Sequence, residues 1–316
     1  MKGFHIMLIA TPIFCLLFAL AGAAKHNEPA PKPTPVNPTP PPHPPCPPIP
    51  PVPSPPPAPR PGSGVVWTEY KAVKNLGDPS WGDYLTDIEN HLPEKFGRQY
   101  RFEDKNTWAH ETTHGIIGHL NNEWSKLNER GVRDKYWLYV GHDRACGIPE
   151  PGFKISDISK MVPAKMRQDR FQLYLVQQRK YFENEPVYLF DEWVAYCNGA
   201  ECGNELAAKN LRQLSGKNDE VFAVLEFGVY ASYVAIAQKK YDPEYDNKQL
   251  LEFLAWNLER SMKLYREGYK HDNFNWDNNK YLEFLKSSQD AAEWRSFLIE
   301  AYGSDWTKEV FGFDKK

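Results

Sequence analysis

The pattern of apolar and polar positions predicts a mainly helical protein with a small β element. Apolar residues recur at helical spacing in eight segments. One short run, residues 135–141, is instead rich in aromatic side chains and ends at glycine, as a strand does. The predicted helices cover residues 81–92, 104–128, 162–182, 188–214, 219–240, 247–268, 279–287 and 290–302.

The first 24 residues have the composition of a cleavable export signal. Lys2 precedes an apolar stretch at residues 6–20, and the small residues 21–24 (AGAA) supply a cleavage site. We therefore expect a secreted or extracytoplasmic protein. An uncleaved membrane anchor is the alternative.

Residues 25–64 form a proline-rich spacer. Twenty of the chain's 28 prolines lie at residues 29–61, where they remove backbone donors at more than every second position. Such a segment favours polyproline II and cannot bury a core. We expect it to hold the following domain away from an envelope, a wall or a partner. Recognition by a proline-reading module is the alternative.

Residues 65–316 have the composition of one folded domain. They contain 34 Lys and Arg against 40 Asp and Glu, a formal charge of about −6, which argues against nucleic acid as a partner. All ten tryptophans lie in this region, and we expect most of them to build its core. No apolar run in it is long enough, by sequence, to predict a membrane span.

One motif in this domain carries chemistry. Residues 110–114 read His-Glu-Thr-Thr-His inside a strongly helical pattern. Residues four apart are separated by about 40° around a helix axis, so the two imidazoles point the same way and can grip one zinc ion. Glu111 lies about 100° from His110, beside the metal, where a general base would act.

A catalytic zinc needs a third protein ligand, and Glu192 is the best candidate. It lies beside Asp191 in a very apolar helical segment, residues 187–196, where two carboxylates would be costly to bury without partners. Zinc and a ligand histidine are suitable partners, and Asp191 is suited to hold the far nitrogen of such a histidine. An ion pair with a neighbouring helix is the alternative for Glu192.

Tyrosines accompany both buried glutamates. Tyr188 and Tyr196 share a helical face with Glu192, and a phenol near the metal can donate to a tetrahedral oxyanion. Glu226, followed by Tyr230, also interrupts an apolar helix and is the rival third ligand. We interpret Glu226 first as an ion-paired group of the core, with Tyr230 as a reserve oxyanion donor.

These two segments resemble the gluzincin class of zinc metallopeptidases. The resemblance rests on residues 110–114 (HETTH) and residues 191–195 (DEWVA), around 20 residues with their surroundings. It implies a zincin-like domain, one zinc ion per chain bound by His110, His114 and Glu192, and Glu111 as general base. It also implies a strand above the zinc that pairs with extended substrate, a part that residues 135–141 could play.

Export permits disulfides, and four cysteines remain after the signal: Cys46, Cys146, Cys197 and Cys202. An Asn-Gly pair between Cys197 and Cys202 suggests a turn that would bring these two thiols together, and Cys146 reaching either one is the alternative.

The function predicted from the sequence is an exported zinc metallopeptidase, an endopeptidase acting on peptide or protein substrates. Two alternatives come from other classes. One is a zinc-bearing protein without turnover. The other is a wall-binding or glycan-binding module, suggested by the tryptophans and the spacer.

Overall fold

The computed structural model describes residues 59–129, 131–211, 220–271, 274 and 279–313. The predicted signal and the spacer up to residue 58 lie outside these residues. The α-helices in chain order are α1 (Gly82–His91), α2 (Lys105–Trp124), α3 (Ile155–Met161), α4 (Asp169–Phe171), α5 (Arg179–Phe182), α6 (Tyr188–Ala208), α7 (Glu220–Tyr241), α8 (Lys248–Gly268), α9 (Asn279–Ser287), α10 (Ala292–Tyr302) and α11 (Ser304–Phe311).

The β element is a small antiparallel sheet of three strands in the described part of the chain. Its strands are β1 (Thr68–Glu69), β2 (Lys135–Tyr139) and β3 (Arg144–Pro149), in the order β1-β3-β2. β2 and β3 form a hairpin in which Trp137 lies opposite Gly147. The prediction of a mainly helical protein with a small β element is therefore confirmed.

The prediction of one long helix over residues 162–182 is wrong. α3 ends at Met161, and Val162 is extended because the ring of Pro163 disfavours helical backbone in the residue before it. The rest of the segment is broken into short turns. They are a 3₁₀ turn (Ala164–Met166), α4, a π-helical stretch (Gln172–Gln177) and α5.

Helix α7 forms the centre of the core, packed between α6 and α8. Among the described helices it alone is long and apolar enough to cross a membrane, with a mean hydropathy of 1.5 in the most apolar 18-residue window of Val221–Tyr241. By length and composition, the prediction that the domain contains no apolar run of this length is therefore wrong. In the fold, 94 % of the most apolar window of α7 is buried, as expected of a core helix.

The helices α2 and α6 cross closely, and this crossing positions the candidate site. A Cβ atom on Gly203 would lie 2.7 Å from the Asn106 side chain, and one on Gly199 would lie 3.1 Å from the Asn106 carbonyl and 3.5 Å from the His110 Cβ. Glycine at these two positions, four residues apart on one face of α6, lets the backbones approach.

The three described cysteines of the domain are buried, and no disulfide joins any two of them. Cys197 and Cys202 both lie inside α6, so the Asn-Gly pair between them is helical and makes no turn. Cys146, on β3, accepts a hydrogen bond from the Gln249 amide. Disulfides among these three residues are therefore absent, and Cys46 lies outside the described residues.

Candidate metal centre

Three predicted ligands converge where α2 meets α6. The Nε2 atoms of His110 and His114 are 3.1 Å apart. The Glu192 Oε2 atom lies 3.4 Å from the His114 Nε2 and 3.9 Å from the His110 Nε2. Within the described residues, this is the group of His, Cys, Asp and Glu side chains whose ligand atoms are arranged to hold one metal ion.

The spacing of these atoms fits a tetrahedral zinc ion. Bonds of about 2.0–2.1 Å place the ligands of tetrahedral zinc roughly 3.3–3.4 Å apart. The separations of 3.1 and 3.4 Å lie close to this value, and the 3.9 Å between His110 and Glu192 is about 0.5 Å longer. The Glu192 Oε2 atom is buried and has no hydrogen-bond partner among the described residues. An orphaned carboxylate oxygen facing two imidazole nitrogens is what a missing cation would explain.

Asp191 fixes the orientation of His114. Its Oδ1 atom lies 2.8 Å from the His114 Nδ1, and its Oδ2 accepts a hydrogen bond from the Tyr136 hydroxyl at 2.7 Å. Since the Nδ1 of His114 is engaged in this way, its Nε2 faces the cluster. A carboxylate behind a ligand histidine is the usual support of a zinc site, and the predicted role of Asp191 matches this contact.

Burial and nearby charges shift the pKa values of the two histidines in opposite directions. Burial, with His114 and Arg170 nearby, lowers the pKa of His110 well below its usual range. Burial alone would also lower the pKa of His114, but the carboxylates of Glu192 and Asp191 hold it well above the usual range. His110 is therefore readily available as a neutral ligand, whereas His114 must exchange its proton for the metal.

Glu111 lies beside the cluster and is only partly buried. Burial raises the pKa of Glu111, helped by the nearby charge of Glu192 and opposed by His114. A carboxylate in this setting holds a proton more readily than one in water, as a group that shuttles protons must.

The predicted tyrosines differ in position. Tyr188 donates a short hydrogen bond to the Glu192 Oε1 atom, and its hydroxyl also lies 3.0 Å from the Gln178 amide oxygen. Tyr196 packs its ring edge-on against His110, with 4.4 Å between the ring centroids. Both therefore lie at the cluster.

Tyr230 is occupied elsewhere. Its hydroxyl donates to Glu226 at 2.7 Å and accepts from the Gln168 backbone at 3.0 Å. The side chain is fully buried.

The rival ligand Glu226 is an ion-paired group. It accepts from the backbone N–H of Arg170 at 2.9 Å and from the Arg170 guanidinium at 3.3 Å. Burial raises the pKa of Glu226, while the charge of Arg170 and the hydrogen bond from Tyr230 oppose that rise. Glu226 is therefore outside the cluster, as its interpretation as an ion-paired core residue predicted.

Sequence reasoning missed three side chains around the site, all contributed by other elements. Tyr174, in the π-helical stretch, has its hydroxyl 3.3 Å from that of Tyr196. Arg170 lies 4.9 Å from the centre of the Tyr196 ring, and Tyr136 holds Asp191. The short aromatic strand is the only feature of the sequence that points to Tyr136. Arg170 and Tyr174 lie in the segment predicted as one long helix, and that prediction gives no indication that they reach the site.

Side chains hydrogen-bond to the outer edge of β2, the strand that is predicted to pair with extended substrate. The Asn121 side chain accepts from the Trp137 N–H at 2.8 Å and donates to the Trp137 carbonyl at 2.9 Å. Ser125 donates to the Lys135 carbonyl, and Asn198 donates to the Tyr139 carbonyl. Side chains of α2 and α6 thus take the groups that a substrate strand would need.

No protein-family model, no curated protein and no solved structure matches this chain.

Proposed function

We propose that the protein is an exported zinc metallopeptidase with a zincin-like catalytic domain, acting on peptide or protein substrates. One observation carries the proposal. Glu192, 78 residues beyond His114 in the sequence, places an unpartnered carboxylate oxygen against both imidazoles of a His-Glu-x-x-His helix.

His110, His114 and Glu192 would hold the metal, with Asp191 behind His114. Zinc bound there supplies a Lewis acid and lowers the pKa of water towards about 7. Glu111 takes a proton from the attacking water and passes it to the leaving amine, because its carboxylate lies beside the ligands without belonging to them.

A phenol at the cluster would donate to the oxyanion. Tyr188 is engaged with Glu192 and so steadies that ligand. Tyr196, whose ring lies against His110, is the better donor, and Arg170 beside it adds positive charge.

The closed edge of β2 changes how substrate must bind. An extended peptide cannot add a strand there without displacing Asn121, so substrate must approach the partly exposed side of Glu111 and His114. Leu173 and Tyr181 are exposed apolar side chains on the irregular segment that also carries Tyr174.

The first test is the zinc content of the full chain after dialysis, by elemental mass spectrometry. We expect one zinc per chain. Glu111→Gln should keep the metal and lose hydrolysis of a peptide library by about 100-fold or more. Glu123→Gln, the same change on the exposed part of α2, is the matched control. A chain that binds no added zinc, or an active Glu111→Gln variant, would refute the peptidase proposal.

The same experiment separates the non-catalytic alternatives. A zinc-bearing binding protein would keep the metal and show no hydrolysis with any variant. The tryptophans give little support to a glycan-binding surface, because each one in the described residues is buried or half-buried.

A further inference from the structure

A second polar cleft lies between the end of the spacer and helix α8. It has a volume of about 440 Å³ and is lined on one side by residues 60–63. The opposite wall carries Arg144, Arg260, Lys263 and Trp256. On α6, the lining residue Glu201 is nine positions from Glu192, roughly 13 Å along the axis and half a turn round it. The cleft is therefore distinct from the metal centre.

The wall formed by the spacer is held in place by specific contacts. The backbone N–H groups of Gly62 and Gly64 both donate to the Glu252 Oε2 atom, at 2.9 and 3.0 Å. Gly62 has a φ of 84°, and a Cβ atom there would lie 2.8 Å from the Trp256 backbone nitrogen. Arg60 forms ion pairs with Glu259 and Glu309, at 3.2 and 2.8 Å. The last residues of the spacer are therefore held by specific contacts as one wall of this cleft.

The cleft gathers two guanidinium groups on one indole. The Arg144 Cζ lies 5.4 Å from the centre of the Trp256 ring, and the Arg260 Cζ lies 5.7 Å from it. The centre of the Trp67 ring also lies 5.4 Å from the Arg144 Cζ, and the two indole rings contact each other edge-on with 4.8 Å between their centroids. The aromatic rings hold the guanidinium planes in place. The N–H edge of Arg144 is free to bind an anion, whereas the Nε and Nη2 of Arg260 already donate to protein acceptors and its Nη1 remains.

The positive charge of the basic side chains in the cleft is only partly compensated by carboxylates. Glu201 pairs with Arg260 at 2.6 Å, and Glu259 is taken by Arg60. The Arg144 guanidinium has no ion pair or hydrogen bond with any described residue, and its Nε is buried. The Nη1 of Arg260 is also buried without a partner. Buried donors of this kind require an acceptor.

We propose that this cleft binds a small ligand through an oxyanion, a phosphate or carboxylate group held by Arg144, Arg260 and Lys263. Arginine forks match the paired oxygens of both groups. The volume exceeds that of a bare anion and falls in the range of small-molecule sites, so the anion is carried by a larger molecule such as an acidic or phosphorylated sugar. The inference is independent of the peptidase proposal.

The test is isothermal titration of the full chain with inorganic phosphate and with acetate at constant ionic strength. We expect dissociation constants of about 1 mM or lower for at least one of them. Glucose 6-phosphate and glucuronate then test whether a sugar carries the anion: we expect one of them to bind more tightly than phosphate or acetate, and equal binding would overturn the inference of a larger ligand.

Matched variants locate the binding. Arg144→Gln should weaken it about tenfold or more, and exposed Lys263→Gln should weaken it a fewfold. Arg98→Gln removes the same charge from an exposed loop elsewhere and should bind like the unaltered protein. Absence of binding by the unaltered chain, or equal weakening by Arg144→Gln and Arg98→Gln, would overturn the proposal. Zinc content should be the same in all of these proteins.

Discussion

Glu192 on α6 and Glu226 on α7 look alike in the sequence and behave differently in the fold. Each is a carboxylate inside an apolar helix with a tyrosine four residues further on, and they are 5 % and 0 % exposed. Glu226 is matched by a buried arginine, Arg170, and by Tyr230. Glu192 has one oxygen satisfied by Tyr188 and the other directed at two imidazoles. The partner that the fold brings from another segment of the chain therefore decides the role of a buried carboxylate.

The largest expected difference is in the stability of the metal-free protein. Glu226→Ala would remove the buried carboxylate that faces the Arg170 guanidinium, at a cost of about 3–5 kcal/mol in the free energy of unfolding. Glu192→Ala should cost less, about 1–2 kcal/mol, because His114 keeps Asp191. Urea denaturation of both variants in a chelator measures the two values, and equal losses would contradict the comparison.

The zinc affinity should reverse that order. The ligands of a structural zinc site together contribute roughly 10–16 kcal/mol of binding free energy. Glu192→Ala removes one of these ligands, so its zinc affinity should be about 100-fold weaker or more. Glu226→Gln, which keeps the size of the side chain, should bind zinc as tightly as the unaltered protein. Competition with a coloured chelator gives both dissociation constants. If Glu226→Gln lost the metal and Glu192→Ala kept it, the third ligand would have to be reassigned.

A smaller effect is expected behind the ligands, at Asp191. Asp191→Asn keeps the shape but removes the charge that orients His114, and zinc affinity should fall about 10- to 100-fold. Asp143 offers a matched control, since it pairs with His91 at 2.7 Å in the same way. Asp143→Asn should leave zinc affinity unchanged in the same chelator competition, and an equal effect of the two would show that the change acts through general stability.

The parts of this site that depend on spacing within one helix were predictable, and the parts that depend on contacts between distant segments of the chain were not. His110, Glu111 and His114 share one helix, and Asp191 and Glu192 share another, so helical geometry alone brought out their relationships. Tyr136, Arg170 and Tyr174 reach the site only because a strand and a broken helix fold back over α2 and α6. The strand 135–141 was recognised, but the outward edge of β2 is closed by Asn121, a contact that no periodicity encodes.

The smallest expected difference separates the two tyrosines. Tyr230→Phe removes the hydrogen bonds to Glu226 and Gln168, so the free energy of unfolding should fall by about 1–2 kcal/mol with zinc affinity unchanged. Tyr188→Phe frees the Glu192 Oε1 atom, and the looser carboxylate should bind zinc a fewfold more weakly. Urea denaturation and chelator competition on both variants give the four values, and the double variant should show the sum of the single effects, because the two tyrosines share no partner. A loss of zinc affinity in Tyr230→Phe as large as that in Tyr188→Phe would mean that the two carboxylates act as one network, and the distinction between a ligand and an ion-paired core residue would fail.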